Sequence, residues 1–259
     1  MALPRVIPVL LLRNKGLVKT VKFKEHKYVG DPINAVKIFN EKEVDELCFL
    51  DIDASRENRE PLYDYLKEIA SECFMPLSYG GAVRSLEQIK KLIQSGIEKI
   101  IINTQAHENQ SLILSASQSF GSSTIVGAMD IKKNFWGKYH VYSHVKGATL
   151  SSEPVSHAIA LQRLGVGEIL VNNVDHDGMM NGYDLEIIST ITKAVDVPVI
   201  ACGGCGSIED IDKVINEAGA SAAAAGSFFV FHGKHKAVLI TYPEYGTLKK
   251  IFAKPIDVT

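Results

Sequence analysis

The chain has 259 residues, and 46% of them are hydrophobic, which suits one large domain with a single core. The formal net charge of −2 gives no overall attraction to nucleic acid or to an anionic membrane, so neither is expected as a partner. Four cysteines are too few for a disulfide framework, and no apolar run reaches the roughly 18 residues of a membrane span. We therefore expect a cytoplasmic protein.

Apolar runs typical of buried strands recur along almost the whole chain, with helical patterns between them. The stretch LEQIKKLIQSG (86–96), for example, has apolar residues at intervals of three and four. The predicted strands are 6–12, 47–51, 76–79, 100–103, 125–130, 169–172, 199–201 and 222–226. Alternating strands and helices without linker-like composition predict an α/β fold, a single (β/α)8 TIM barrel over residues 1–259.

The chain also contains an internal repeat. The stretch MPLSYGGAVRSLEQIKKLIQSG (75–96) aligns with VPVIACGGCGSIEDIDKVINEAG (197–219). The residue pairs in register are Pro76 with Pro198, Gly81 with Gly203, Ser85 with Ser207, and Ile89 with Ile211. Chance similarity between two α/β units is the alternative, but the shared register favours duplication. The domain is then built of two half-barrels, about 1–123 and 124–240, with a divergent C-terminal segment at 241–259.

Glycines and short polar residues follow several of the predicted strands. The strand ends of a barrel form its active face, where glycine lets a backbone N–H approach an anion closely. These residues are Gly80, Gly81, Asn103 and Thr104 in the first half, and Gly203, Gly204, Gly226 and Ser227 in the second. One glycine pair alone is more often a plain turn. The duplicated set predicts two phosphate-binding sites that face each other across the barrel mouth.

Two further features adjoin these sites. Asp177-Gly178 follows the sixth predicted strand and brings a carboxylate near the second site. The segment after the first strand is predicted to be a long loop that carries four lysines, Lys19, Lys22, Lys24 and Lys27. This substrate loop could close over an anionic ligand, and the alternative is a solvated, charged loop.

The cysteines and histidines do not predict a metal site. Cys202 and Cys205 form a CxxC motif inside the second glycine loop, but no second pair completes a zinc site. His140, His144 and His157 lack the spacing of ligands, and we expect them at the surface. We predict neither a metal nor a cofactor.

These features together resemble the cyclase subunit of imidazole glycerol phosphate synthase, the HisF family of histidine biosynthesis, over residues 1 to about 230. The matching stretches are FLDIDAS (49–55), YGGAVRS (79–85), IINTQA (101–106), DHDGMMNGYD (175–184) and ACGGCGS (201–207). The resemblance implies a lyase-type synthase barrel that uses ammonia. It also implies a glutamine amidotransferase complex, a heterodimer in which a separate HisH-like glutaminase binds the N-terminal face of the barrel.

Four charged residues stand at the starts of predicted strands, on the face opposite the phosphate sites. They are Arg5, Glu46, Lys99 and Glu168. Two positive and two negative charges cancel, so a ring of them could line the barrel floor without a large unpaired desolvation cost. Each one alone could be an ordinary strand-flanking charge. As a set they coincide with the charged gate through which ammonia enters the barrel in the resembling family.

The resemblance implies a general acid–base pair of aspartates at the ends of strands 1 and 5. Asp130, in GAMDIKK, supplies the second member, but Leu11 stands at the position of the first. Leucine can neither donate nor accept a proton, and losing one partner of such a pair typically costs ~10²–10⁴ in rate. We therefore predict Asp130 as the remaining catalytic residue and expect little of the family's cyclase activity.

The C-terminal segment also departs from the family. It contains KAVLITYP, which is too rich in β-forming residues, and too soon stopped by proline, for the terminal helix of the histidine enzyme. In this respect the chain is similar to a branch linked to acetamidino modification of surface-polysaccharide sugars. That branch implies a glutaminase, a barrel and a further amidotransferase acting together on a nucleotide-sugar acetamido group.

We therefore predict a barrel that receives ammonia at its floor and directs it to a phosphorylated sugar or nucleotide-sugar acceptor. Two alternatives stay open. One is a true imidazole glycerol phosphate cyclase in which Asp51, Asp53 or Asp177 compensates for Leu11. The other is a non-catalytic conduit that passes ammonia to a third protein.

Overall fold

Eight parallel strands close into a barrel in the computed structural model, which describes residues 4–253. They are β1 (Arg5–Arg13), β2 (Leu47–Asp51), β3 (Leu77–Gly80), β4 (Lys99–Ile102), β5 (Ile125–Lys133), β6 (Glu168–Asn173), β7 (Val199–Cys202) and β8 (Ala222–Ala225). Each strand pairs with the next, and β8 pairs back with β1. The predicted (β/α)8 TIM barrel is confirmed. Both predicted chain limits, 1 and 259, lie outside the described residues.

Helices follow the strands and form the outer layer. They are α1 (Pro32–Glu41), α2 (Tyr63–Ser71), α3 (Leu86–Gln94), α4 (Thr104–Glu108), α5 (Gln110–Phe120), α6 (Pro154–Arg163), α7 (Leu185–Thr192), α8 (Ile208–Asn216), α9 (Ser227–Val230) and α10 (Tyr245–Phe252), with a 3₁₀ turn at Ser122–Thr124. α3 and α8 begin alike, because the hydroxyls of Ser85 and Ser207 each accept a hydrogen bond from a first-turn N–H. Such caps fix where a helix starts, here directly behind the glycine loops that follow β3 and β7.

The side chains of each strand alternate between two apolar layers. On β1, Leu10 and Leu12 pack outward in the layer that contains the helices, whereas Ile7 and Val9 pack inside the barrel. The interior layer consists of Ile7, Val9, Cys48, Ile101, Val126, Ala128, Leu170, Ile200, Cys202, Ala222 and Ala224, with Leu11 and Leu50 packed against it. The interior between the two barrel ends is therefore apolar, and several of its side chains are small.

The segment after β1 is a β-hairpin, so the prediction of a long loop there is wrong. Its strands, Gly16–Val21 and Lys24–Gly30, pair with each other, and the first also pairs antiparallel with β1. The two turns, Asn14-Lys15 and Lys22-Phe23, have positive φ at both residues. Such turns usually contain glycine, and neither of these does, so the sequence carried no hairpin signal.

A second hairpin extends from β5, which continues past Asp130 to Lys133. It pairs with Tyr139–Ser143, which in turn pairs with Ala148–Thr149. The aromatic side chains of Phe135 and Trp136 at its tip are 97% and 80% exposed. This hairpin stands at the C-terminal end of the barrel because β5 points that way.

The C-terminal segment differs from the expectation. KAVLITYP forms only a two-residue strand, Ala237–Val238, which pairs with Phe231–His232. A terminal helix then follows as α10, whose Leu248 and Ile251 are buried in the core. Pro243 lies five residues beyond the short strand and directly before Glu244, the N-cap of α10, so it precedes the terminal helix and does not prevent it. No helix within residues 4–253 is long and apolar enough to cross a membrane.

Candidate functional site

The C-terminal ends of the strands open onto one cavity, which we call the mouth. The predicted residues that line it are Lys19, Gly81, Asn103, Thr104, Asp130, Asp177, Gly178, Gly203, Gly204, Gly226 and Ser227. They come from six strand ends and from the hairpin after β1. Closure of the barrel thus brings together residues that are up to 208 positions apart in the chain, from Lys19 to Ser227.

Asp130 lies buried on β5 between two amide groups. Asn103 Nδ2 donates to its Oδ2 at 2.8 Å, and Asn172 Nδ2 donates to its Oδ1 at 3.1 Å. Burial raises the pKa of Asp130 to about 7, although both amide hydrogen bonds act to lower it. A carboxyl group with this pKa can both accept and donate a proton near neutral pH. Asn172 was not predicted; a polar residue at the end of an otherwise apolar strand is the signal that could have found it.

The wall opposite Asp130 is apolar. β1 and β5 are four strands apart in the barrel, so they face each other across the interior. Leu11 on β1 lines the mouth beside its register partner Leu50 on β2. At this level of the barrel, β5 therefore presents a titratable carboxyl, and the facing position on β1 presents only hydrocarbon.

The carboxylates that could replace the missing one are already engaged. Arg59 binds Asp51 through two contacts, at 2.6 Å and 2.8 Å, and Arg13 binds Asp53 at 2.7 Å. Both carboxylates are therefore already paired with guanidinium groups through short, charge-assisted hydrogen bonds.

Asp177 is committed to the hairpin after β1. Its carboxylate accepts a hydrogen bond from Thr20 Oγ1 at 2.9 Å, and its carbonyl accepts one from the N–H of Lys22 at 3.0 Å. Gly178 beside it has φ +70°, and a Cβ there would collide with the carbonyl of Thr20. Both residues line the mouth, and both hold the hairpin in place.

Lys19 is the one lysine of the hairpin that the fold buries in the mouth. Its Nζ donates to the carbonyl of Val9 at 2.5 Å and lies beside Gly226. Burial lowers the pKa of Lys19 to about 8, opposed by the nearby carboxylate of Asp177. The remaining lysines, Lys22, Lys24 and Lys27, are exposed.

The two predicted phosphate sites have the same backbone conformation at one equivalent position. Asn103 has φ −110° and ψ −69°, and Gly226, its counterpart in the second half, has φ −109° and ψ −70°. Gly81 has φ +155°, while Gly203 and Gly204 have φ +88° and +116°, conformations that a side chain would strain. A Cβ on Gly204 would also collide with the carbonyl of Gly182. Glycine is therefore required at these positions.

The two sites differ in charge. Behind the first, Gln88 Oε1 accepts a hydrogen bond from the N–H of Arg84, which also lines the mouth. Behind the second, the carboxylate of Asp210 accepts hydrogen bonds from the N–H groups of Gly206 and Ser207. A carboxylate in that position competes with an incoming anion for these N–H groups, whereas the amide behind the first site carries no charge.

The four charges predicted for the barrel floor form a closed ring of alternating sign. Arg5 contacts Glu46 at 2.5 Å and Glu168 at 2.7 Å. Lys99 contacts the same two carboxylates, at 2.7 Å and 3.2 Å. The Glu46 side chain is only 3% exposed, and both cations compensate its buried charge. The ring closes the N-terminal end of the apolar interior.

Two of the histidines expected at the surface do not lie there, because His144 lines the mouth with both ring nitrogens buried and His157 is buried in the core. His157 is only 6% exposed, because it lies on the inward face of α6 with Ala158 and Leu161. Its helical spacing from those residues was the signal that sequence reasoning missed. Cys202 and Cys205 are free thiols, and burial raises the pKa of both. Within residues 4–253 no cluster of side chains could hold a metal ion.

Comparison with known proteins agrees with this geometry. The family described as histidine biosynthesis protein matches residues 5–236. The chain belongs to this family. It is 54% identical over 244 residues to a Pseudomonas aeruginosa protein, covering 94% of this chain and 97% of the relative. That relative carries the provisional name of imidazole glycerol phosphate synthase subunit hisF2.

Two further relatives carry similar names. A Vibrio vulnificus protein, provisionally named subunit hisF3 of the same synthase, is 48% identical over 247 residues, or 95% of each chain. An Alkaliphilus metalliredigens protein named imidazole glycerol phosphate synthase subunit HisF is 41% identical over 228 residues, or 88% of this chain and 90% of the relative. The chain is thus similar to HisF subunits along most of its length.

We expect two anions at the mouth of a crystal soaked in phosphate, one at Gly81 and Asn103 and one at Gly204 and Gly226. Gly204→Ala should remove the second anion and leave the first, because the added Cβ collides with the backbone. Gly246→Ala, where a Cβ meets nothing, is the matched control. A single anion in the unaltered protein, or anions only on the N-terminal face, would contradict the duplicated site.

Asp130 should make the free energy of unfolding depend on pH. Its folded pKa of about 7 exceeds its usual 3.8, so its contribution is full below about 4 and is lost as pH rises through about 7. In denaturant unfolding, the free energy of unfolding of Asp130→Asn should therefore rise relative to that of the unaltered protein across this pH range, by at most about 4 kcal/mol. Asp64→Asn, which changes an exposed carboxylate on α2, is the control. A difference that stays constant with pH would contradict the assignment.

Proposed function

We propose that this chain is a HisF-like synthase subunit of a glutamine amidotransferase complex. It takes ammonia from a separate HisH-like glutaminase through the barrel floor and uses it on a phosphate-bearing, sugar-derived acceptor in the mouth. The reaction belongs to the amidation of surface-polysaccharide sugars. The observation that carries the proposal is the vertical order of the barrel: a charged ring at the floor, an apolar interior, and one titratable carboxyl at the mouth.

The floor ring supports the entry of ammonia from a partner. Its alternating charges pair with one another, so no unpaired charge is left to hold the polar ammonia molecule. Above it, the interior is lined by apolar residues such as Val126, Ala224 and Cys48. Ammonia can pass such a lining as a neutral molecule, whereas a charged ion would pay a large desolvation cost. The apolar interior therefore favours the passage of ammonia over that of ammonium.

The mouth supports an acceptor with two anionic groups. The two predicted phosphate sites offer backbone N–H groups on opposite sides of the mouth. Arg84 adds positive charge near the first site, and Lys19 adds it near the second. Asp130 lies on the opening of the apolar interior, where arriving ammonia would meet the acceptor. Its pKa of about 7 suits a general acid–base residue that moves one proton during addition of nitrogen.

Leu11 weighs against the true cyclase of histidine biosynthesis. That reading needs a second carboxylate, and the candidates Asp51, Asp53 and Asp177 are held by Arg59, Arg13 and Thr20. The retained floor and mouth, with half of the acid–base pair replaced by leucine, fit a changed acceptor better than a lost function.

A second candidate is the conduit that hands ammonia to a third protein. The exposed Phe135 and Trp136 favour it, because an aromatic hairpin tip at the C-terminal end offers a surface for such a protein. In that case Asp130 would not serve an acceptor bound in the mouth.

The first test of this function concerns Leu11. With free ammonia and the histidine-pathway ribonucleotide, the unaltered protein should cyclise ~10²–10⁴ times more slowly than an aspartate-bearing homologue. Leu11→Asp should raise the rate by restoring the second carboxylate opposite Asp130. Leu11→Asn, whose side chain has the shape of aspartate without its acidic group, should not raise the rate. Fast cyclisation by the unaltered protein would refute the proposal that position 11 has removed this activity.

The second test concerns the floor ring. Lys99→Leu leaves Glu46 and Glu168 facing Arg5 alone, and an unpaired buried charge costs a few kcal/mol, so the ring should rearrange or admit water. Glutamine-dependent product formation with the glutaminase should fall, while the reaction with added ammonium should change much less. Free ammonia can reach the acceptor from the open mouth.

Lys90→Leu, on the exposed face of α3, is the matched control for the loss of a lysine. An equal fall of both activities would mean that Lys99 acts only through stability. No change in either activity would mean that the ring does not control ammonia entry.

A further inference from the structure

Two histidines lie stacked behind the mouth. His107 on α4 and His157 on α6 have ring centroids 4.9 Å apart, with 33° between the ring planes. Neither ring is among the residues that line the mouth. Within residues 4–253, His107 Nδ1 and His157 Nε2 are buried without a hydrogen-bond partner. Nothing assigned so far to the mouth or the floor explains why two imidazoles should be buried here.

One of these rings is connected to Asp130. His107 Nε2 lies 3.2 Å from Asn103 Oδ1, and Asn103 Nδ2 donates to Asp130 Oδ2 at 2.8 Å. The chain of contacts is therefore imidazole, amide, carboxylate. Asn103 comes from the end of β4 and His107 from the helix that starts just behind it, so both are placed by the same strand end.

The direction of each hydrogen bond follows from the carboxylate. An ionised carboxylate only accepts, so the Asn103 NH2 group must face Asp130 and its oxygen must face His107. That oxygen needs a donor, and the neutral imidazole provides one only if Nε2 carries the hydrogen. The reversed amide would place its oxygen against the Asp130 carboxylate, which is repulsive. The tautomer of His107 and the orientation of Asn103 thus fix each other.

We propose that His107 is a positioning residue of the mouth, which locks the Asn103 amide so that it donates to Asp130. The other amide offers a contrast. Asn172 also donates to Asp130, but its Oδ1 has no hydrogen-bond partner among the described residues. Of the two donors that hold the carboxyl, the one from Asn103 is therefore anchored by a second hydrogen bond.

His107 fills this role as a neutral donor. Burial and the nearby Lys146 lower the pKa of His107, and burial together with His107 lowers the pKa of His157 to about 4. Both rings are therefore uncharged at neutral pH. The titratable groups that act on Asp130 itself are Asp177 and Cys202. Neither Asp177 nor Cys202 makes a hydrogen bond to the Asn103 amide, whose side-chain partners among the described residues are Asp130 and His107.

The consequence is a shift in the titration of Asp130. The hydrogen bond from Asn103 lowers the pKa of this buried carboxyl, so freeing the amide should raise it. This inference rests on the proposed function only in so far as Asp130 is the acid–base residue. The contacts themselves do not depend on which acceptor the mouth binds.

The test is NMR on the whole protein, with no substrate. In the unaltered chain, the imidazole ¹⁵N shifts should identify His107 as the Nε2–H tautomer at a pH well above the Asp130 midpoint of about 7. His107→Phe keeps the ring stack on His157 and removes the donor. It should move the Asp130 carboxyl ¹³C midpoint upward by roughly one pH unit. His107→Gln restores a donor and should bring the midpoint back.

His157→Phe is the matched control, since His157 makes no hydrogen bond to Asn103 and its loss should leave the midpoint unchanged. An Nδ1–H tautomer in the unaltered protein would overturn the proposal even if a variant failed to fold. So would equal midpoints in His107→Phe and the unaltered chain. A shift in Asp130 without any ammonia-dependent product would refute the proposed function alone, and product formation with unmoved midpoints would refute this inference alone.

Discussion

In a closed barrel of parallel strands, every second side chain of each strand must point into one shared interior, and the rest of the molecule depends on this constraint. The first inward residues meet at the floor, where Arg5, Glu46, Lys99 and Glu168 alternate in sign around a ring. The middle residues meet as an apolar column, and the last ones meet at the mouth. Floor, column and mouth are therefore consecutive levels of the same strands, and they lie on one axis without any further device.

The two predicted half-barrels share one feature and differ in another. The common feature is backbone geometry, since Asn103 and Gly226 have nearly the same φ and ψ. Backbone sites tolerate side-chain change, because their donors are N–H groups that almost every residue carries. The acid–base pair has no such protection. Asp130 and Leu11 occupy opposite strands at the mouth, and a single substitution is enough to turn a two-carboxylate centre into one with one carboxyl and one hydrocarbon wall.

The strands and the floor ring could be predicted because their signals are local. A short apolar run marks each strand. All strands of a parallel barrel start at the same end, so a charged residue at the start of a strand lies at the floor whatever the order of the strands. The hairpin after β1 could not be predicted, because its turns at Asn14 and Lys22 lack the usual glycine. The amide contacts of Asp130 were also out of reach. They join residues 27 and 42 positions apart, and no periodicity encodes which way an amide points.

Asp177 shows how a residue can lie where the sequence predicts it and make contacts that indicate a different task. The sequence predicts it near the second phosphate site, and the structure has it in the lining of the mouth. A carboxylate there would repel a phosphate, and its hydrogen bonds run instead to Thr20 and to the backbone of the hairpin. Gly178 serves the same contact, because any side chain would collide with the Thr20 carbonyl. By seating the hairpin, this pair puts the ammonium of Lys19 next to Gly226. The positive charge at the proposed second phosphate site thus comes from the hairpin, and Asp177 beside it holds that charge in place.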